Sequence, residues 1–366
     1  MHRLNSKSSS FIEDLVGIDS LVEELFASYL GLGNNVCMIG ICGMGGLGKT
    51  TLARAVYSRF SNDFDGYSFI ANVRERSKNG GLISLQQQLL EEILKEKISN
   101  IWNVCDGVVM IKSRLHRKKV LLVLDDVNQL DQLDKLAGEH GWFKLGSLVI
   151  ITTQNEHLLV QYGVDKIYKP NVLNSDDALK LFCLKAFKNE NPKEGYKQLS
   201  QDIVHYVGGL PLGLVTLGSS LFDKKMEEWQ SALDNFKQIS PGEIFHILRV
   251  SYDGLEETWK EIFLDIACFF RGKLKDRVIE ILKYWGFDPI FSITVLMERS
   301  LITIENKRLW MHDLLQKMGR EIVLLESRKE PGKRSRLWFY KDLLHVLTND
   351  TVRTMTKLEF NFSSQD

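Results

Sequence analysis

The chain has 366 residues, 44% of them hydrophobic and 26% charged, and its 47 basic and 47 acidic side chains cancel to a formal charge of zero. Such a composition supports two or three globular units with real cores, and it lacks the basic excess of a dedicated nucleic-acid binder. No apolar N-terminal stretch reads as a secretory signal, and runs such as VLLVL at 120–124 are far too short to cross a bilayer. Five scattered cysteines, Cys37, Cys42, Cys105, Cys183 and Cys268, contain no CxxC pair and read as buried free thiols of a reducing compartment, which points to a cytosolic or nuclear protein.

Residues 1–14 are polar and serine-rich and read as a flexible lead-in. LVGIDSLVEELFASYL then predicts a helix starting near Asp19. VCMIGIC (36–42) is a short buried-strand pattern, a glycine loop follows, and KTTLARAVYSRF continues as a helix. YSFIANV (67–73) reads as a strand and SLQQQLLEEILKE (84–96) as a helix. KKVLLVLDDV (118–127) and GSLVIITT (146–153) read as two further strands. Near-continuous apolar strands alternating with helices predict one α/β domain at 15–170, a doubly wound parallel sheet covered on both faces. After Pro170 the texture becomes helical, opening with SDDALKLFCLKAF and a serine or aspartate cap. SLITIENKRLWMHDLLQKMGREIV (300–323) shows strand, turn, strand and helix, the pattern of a winged-helix unit.

The chemistry concentrates in GMGGLGKT, which fits GxxxxGK[ST]. Gly43, Gly45, Gly46 and Gly48 let the backbone turn its N–H groups onto phosphate oxygens, and the helix that follows aims its positive dipole end at them. Lys49 would neutralise β- and γ-phosphate oxygens, Thr50 would hold Mg²⁺ through its hydroxyl, and Thr51 is in reach of the α-phosphate. A glycine-rich βα turn can match by chance, but here strand, loop and helix come in the required order. LLVLDD supplies the second half of such a site. Asp125 is the expected Mg²⁺ partner, and Asp126 is the candidate to orient or deprotonate an attacking water.

These residues, together with GGLPLGLVTLGSSL (208–221), FLDIACFF (263–270), MHDLLQKMGREIV (311–323) and GKRSRLWFYKDLLHVL (332–347), resemble the NB-ARC module of plant intracellular immune receptors. The resemblance is to the branch that carries an N-terminal TIR domain and a C-terminal leucine-rich repeat. It implies a P-loop NTPase domain (15–170), a helical domain (171–240) and a winged-helix domain (241–350) closed around ADP. A segment at 351–366 would lead towards a repeat array. It further implies that Val16 and Gly17 line the adenine pocket, that Gly209, Leu210 and Pro211 pack on the adenine and ribose side, and that His312 meets the β-phosphate of ADP. Without the resemblance, His312 reads as a capping or surface residue and Pro211 as a first-turn proline.

Two departures stand out. Gln154 occupies the position where the family usually has an arginine facing the γ-phosphate, and Leu148 replaces a basic residue after Ser147. A glutamine donates hydrogen bonds but carries no charge, so ADP binding should survive while preference for ATP weakens. The sequence also shows neither a TIR domain nor an L-x-x-L-x-L array, so no NAD-cleaving activity is expected of it. The expected function is an ADP/ATP switch in plant defence. Its expected partners are nucleotide and other receptor chains of the family, with a pathogen effector acting only indirectly. The competing readings are a truncated non-switching decoy and a slowly cycling P-loop ATPase.

Overall fold

A computed structural model describes residues 16–31, 35–78, 80–98, 101–237, 244–286, 288–299, 301–348 and 357–358. The lead-in at 1–14 lies outside these residues, as does the 351–366 segment apart from Lys357 and Leu358. The chain divides into two compact units, Met1–Val172 and Leu173–Asp366.

The first unit runs α1 (Ile18–Gly31), β1 (Cys37–Cys42), α2 (Lys49–Phe60), β2 (Gly66–Ile70), α3 (Val73–Arg76), α4 (Leu82–Leu94), α5 (Val104–Leu115), β3 (Val120–Leu124), α6 (Leu130–Leu136), β4 (Leu148–Thr153), α7 (Glu156–Tyr162) and β5 (Lys166–Tyr168). The five strands form one parallel sheet in the order β2-β3-β4-β1-β5. Every residue of β1, β3 and β4 is buried, because helices cover both faces. Alternation along the strands sorts the side chains. Met38, Leu122, Leu124, Val149 and Ile151 join a core with Leu89, Leu133 and Leu159. Ile39, Ile41, Leu121, Val123 and Ile150 face Leu25, Leu52 and Val56 of α1 and α2. Each such Leu, Ile or Val contributes on the order of 1.5–3 kcal/mol by leaving water. Gly40 lets α7 close on the sheet, since a Cβ there would lie 2.4 Å from a methyl of Leu159.

The expected strand at 67–73 stops at Ile70. Asn72 takes a left-handed backbone (φ 54°), and Val73 and Arg74 turn back to donate their N–H groups to the carbonyls of Asp125 and Asp126. The short edge strand β5 and helices α5 to α7 go beyond the sequence reading. β5 holds only three residues, too few for a periodic signal.

The second unit opens with four helices, α8 (Ser175–Phe187), α9 (Lys197–Val207), α10 (Pro211–Ser220) and α11 (Met226–Lys237). The cap of α8 is Asn174, not the serine or an aspartate after it; its side chain accepts from the N–H groups of Asp176 and Asp177. Trp229, Phe187 and Tyr196 pack together, and Trp229 also meets Phe182 edge-on. Then follow α12 (Ile244–Asp253), α13 (Glu257–Asp265), a π-helical turn (Ile266–Phe270), α14 (Lys275–Tyr284) and α15 (Pro289–Glu298). The predicted hairpin is β6 (Thr303–Glu305) with β7 (Arg308–Trp310), antiparallel, turned by Asn306 and Lys307 in left-handed conformations. It leads into α16 (Asp313–Glu326). The wide π turn presents the Ala267 carbonyl to Gln316 and Arg320 of α16, and Gly319 makes room for it: a Cβ there would lie 2.7 Å from that of Ala267. Beyond α16, β8 (Arg336–Leu337) pairs in parallel with β9 (Lys357–Leu358), and α17 (Tyr340–Thr348) lies between them in the chain.

Arg336 is the largest polar side chain in this core. Only 1% exposed, it donates to Asp265, which is wholly buried, at 2.7 Å and to Glu261 at 2.6 Å. Burial alone would lower its pKa. Asp265 and Glu261 outweigh that and raise it above the usual arginine value.

Candidate nucleotide site

β1 delivers the chain into the loop Gly43–Gly48, and α2 begins at Lys49. Gly46 and Gly48 have φ of 79° and 86°, a conformation that side chains other than glycine resist. No side chain caps the start of α2, so its first N–H groups point out as donors for an anion. Lys49 is drawn inward and donates to the carbonyls of Gly43 and Met44, both at 2.8 Å. Desolvation lowers its pKa, and the charges of Asp126, Cys42 and Asp125 push the other way.

Asp125 ends β3 fully buried. Its Oδ1 accepts from Thr50 Oγ1 and from Thr152 Oγ1, each at 2.7 Å. Two residues 75 positions apart thus bring a hydroxyl and a carboxylate to one point. Such hard oxygens suit Mg²⁺. Among the described residues there is no group of three or more His, Cys, Asp or Glu able to hold a metal; a cation held by this pair would need further ligands from phosphate and water. Thr51 follows in the first turn of α2.

Asp126 sits in a left-handed conformation (φ 58°), with its N–H on Thr152 Oγ1 at 2.8 Å. Its carboxylate forms an ion pair with Arg74 at 3.0 Å. Arg74 directly follows the stretch 67–73 that the sequence suggests as a strand, and no motif marks it. The signal lay in the register, since Ile70 of β2 stands beside Leu124 of β3, so the residues after each strand meet.

Gln154 directly follows β4 with its side chain exposed. It stands at the mouth of the glycine loop, since Thr153 pairs with Cys42 and its carbonyl accepts from Gly43 N–H at 3.4 Å. Leu148, at the other end of β4, is wholly buried. Val16 and Gly17 lie just before α1, with Gly17 at φ 69° and its carbonyl accepting from Ser20 Oγ.

The remaining candidates belong to the second unit. Gly209 (φ 72°) accepts from Leu173 N–H at 3.0 Å, and a Cβ on it would lie 2.4 Å from the Leu173 carbonyl. Leu210 is buried and Pro211 occupies the first position of α10. His312 is the exposed N-cap of α16, and its Nδ1 accepts from Leu314 N–H at 3.2 Å. An accepting Nδ1 places the proton of the neutral ring on Nε2.

Comparison with known families agrees with this geometry. Residues 18–192 match the NB-ARC domain. The chain carries an NB-ARC domain. Residues 256–327 match the winged-helix domain of Roq1-like disease resistance proteins, downstream of the NB-ARC match. The chain is 43% identical to disease resistance protein RUN1 of Vitis rotundifolia and 42% identical to TMV resistance protein N of Nicotiana glutinosa, over 94% of its own length in each case. It spans 26% and 30% of those two proteins. Among solved structures, it resembles a STAND-class signal transduction ATPase with a tetratricopeptide repeat sensor from Pyrococcus horikoshii (TM-score 0.54, 17% identity, 92% of this chain and 46% of that one). At that identity the likeness concerns the fold alone. Among the described residues, no helix is long and apolar enough to cross a membrane.

Proposed function

We propose that this chain is the nucleotide-operated switch of a plant immune receptor, resting with ADP and responding to ATP with Mg²⁺. The observation that carries the reading is the assembled P-loop site: Lys49 folded onto the loop carbonyls, with Thr50 against Asp125. In this reading the loop N–H groups and Lys49 bind the phosphates, and Thr50 and Asp125 hold the cation, which would neutralise charge on the terminal phosphates. Asp126 would orient a water, but its carboxylate is engaged in an ion pair with Arg74. That favours a switch with slow turnover over a steadily cycling ATPase. Val16, Gly17, Gly209, Leu210 and Pro211 are assigned to the nucleoside, and His312 to the β-phosphate, on the family resemblance. Signalling would run through other receptor chains in the cytosol or nucleus.

The test is to denature freshly purified protein and identify the released nucleotide by chromatography. Near-stoichiometric ADP is expected. A His312→Ala protein should release ADP roughly ten- to a hundredfold faster, the worth of one charge-assisted hydrogen bond. No bound nucleotide together with weak affinity for added ADP would overturn the switch and favour a non-switching decoy. An unchanged off-rate in the variant would remove His312 from the site.

A further inference from the structure

The mouth of the loop presents a neutral side chain, Gln154, where a triphosphate carries its extra negative charge. One arginine of the first unit is nonetheless fixed to this site. The backbone N–H of Arg74 donates to the Asp126 carbonyl at 3.1 Å, and its guanidinium meets the Asp126 carboxylate at 3.0 Å. Glu75 lies 4.0 Å from the Arg74 Nε. Asp126 follows directly on Asp125, which accepts from Thr50 at the start of α2.

We propose that Arg74 is the cation that reads the terminal phosphate, staying on Asp126 with a diphosphate and transferring to the γ-phosphate with a triphosphate. The inference rests on the nucleotide-binding reading above and assigns a specificity residue to it. Three features support it. The main chain of Arg74 is pinned, so the side chain can exchange partners without moving α3. Arg74 and Asp126 are 21% and 23% exposed, so the half-buried pair still reaches solvent, where a phosphate can compete for the guanidinium. A guanidinium also forks onto phosphate oxygens in a planar, charged geometry that glutamine lacks.

The test is a titration of the full chain with ADP and with a non-hydrolysable ATP analogue, both with Mg²⁺, on the unaltered protein, Arg74→Gln and Arg74→Lys. Arg74→Gln should weaken the analogue about tenfold, the low end for a charge-assisted hydrogen bond, and leave ADP affinity close to that of the unaltered protein. Arg74→Lys should recover part of the loss. Equal losses for both ligands would mean that Arg74 only supports Asp126, and no loss would mean that it plays no part; either overturns the proposal. Should Arg74→Gln fail to fold, Asp126→Asn releases Arg74 and must raise the affinity for the analogue relative to ADP; no relative gain overturns it. If the unaltered protein binds neither nucleotide, the nucleotide reading itself falls and the proposal with it. Binding of both with an unchanged ratio in the variants removes Arg74 alone.

Discussion

In the proposed reading, Arg74 supplies the charge that Gln154, directly after β4, lacks. Gln154 has its side chain in solvent at the end of β4, beside the first residue of the glycine loop. An arginine placed there would add a charge-assisted hydrogen bond to a terminal phosphate, so Gln154→Arg should raise affinity for a non-hydrolysable ATP analogue by about tenfold and leave ADP nearly unchanged. Equal analogue affinities in the two proteins, measured by calorimetry, would show that position 154 does not meet the nucleotide. At this scale the sequence was most legible where residue type and spacing already encode the chemistry. Lys49, Thr50 and Asp125 were singled out by spacing alone, and the fold brings Thr50 and Asp125 together at 2.7 Å. Arg74 was illegible because its importance comes from a strand register, which pairs two loops that are distant in sequence. His312 makes the helix cap that its bare sequence context suggested.

The segment after α16 carried part of the family resemblance, and in the fold its Arg336 enters the core of the second unit. Arg336 has no apolar periodicity to announce it, yet it is among the largest fully buried side chains of the described residues. Removing one partner of a buried pair strands the other charge away from water. Arg336→Met should therefore destabilise the second unit by about 3–5 kcal/mol, read as a shift in the denaturation midpoint followed by tryptophan fluorescence. The double variant Arg336→Met with Asp265→Leu should regain much of that loss, since no buried charge is then left unpaired. A double variant as unstable as the single one would mean that the pair is not the source of the effect. The strand at 67–73 shows the complementary limit. Its apolar pattern continued to Val73, but the need to bring α3 under Asp125 and Asp126 ended it at Ile70.

For the molecule as a whole, charge and cysteine usage were readable in outline. Four of the five thiols are buried as expected, while Cys105, in the first turn of α5, is exposed. The buried-thiol expectation fails there because α5 turns that face to solvent. Burial pushes the thiols of Cys37, Cys183 and Cys268 up to about 12 and raises that of Cys42. Since the thiolate is the reacting form, a native chain near pH 8 should take one equivalent of an alkylating reagent quickly, at Cys105, and all five only after denaturation. Peptide mass spectrometry decides this, and rapid labelling at any of the other four would contradict the burial described. The neutral overall charge likewise hid a local arrangement in which Asp126 and Arg74 neutralise each other beside the glycine loop.

The Arg336–Asp265 pair also has a meaning in time. The two residues are 71 positions apart, and a ribosome adding roughly 5–20 residues per second needs about 4–14 s to cover that distance. During that interval Asp265 has been added to the chain and Arg336 has not. The winged-helix core therefore cannot mature as its own helices emerge and must wait for the strand that follows them. A stall in translation just before Arg336 would prolong that delay.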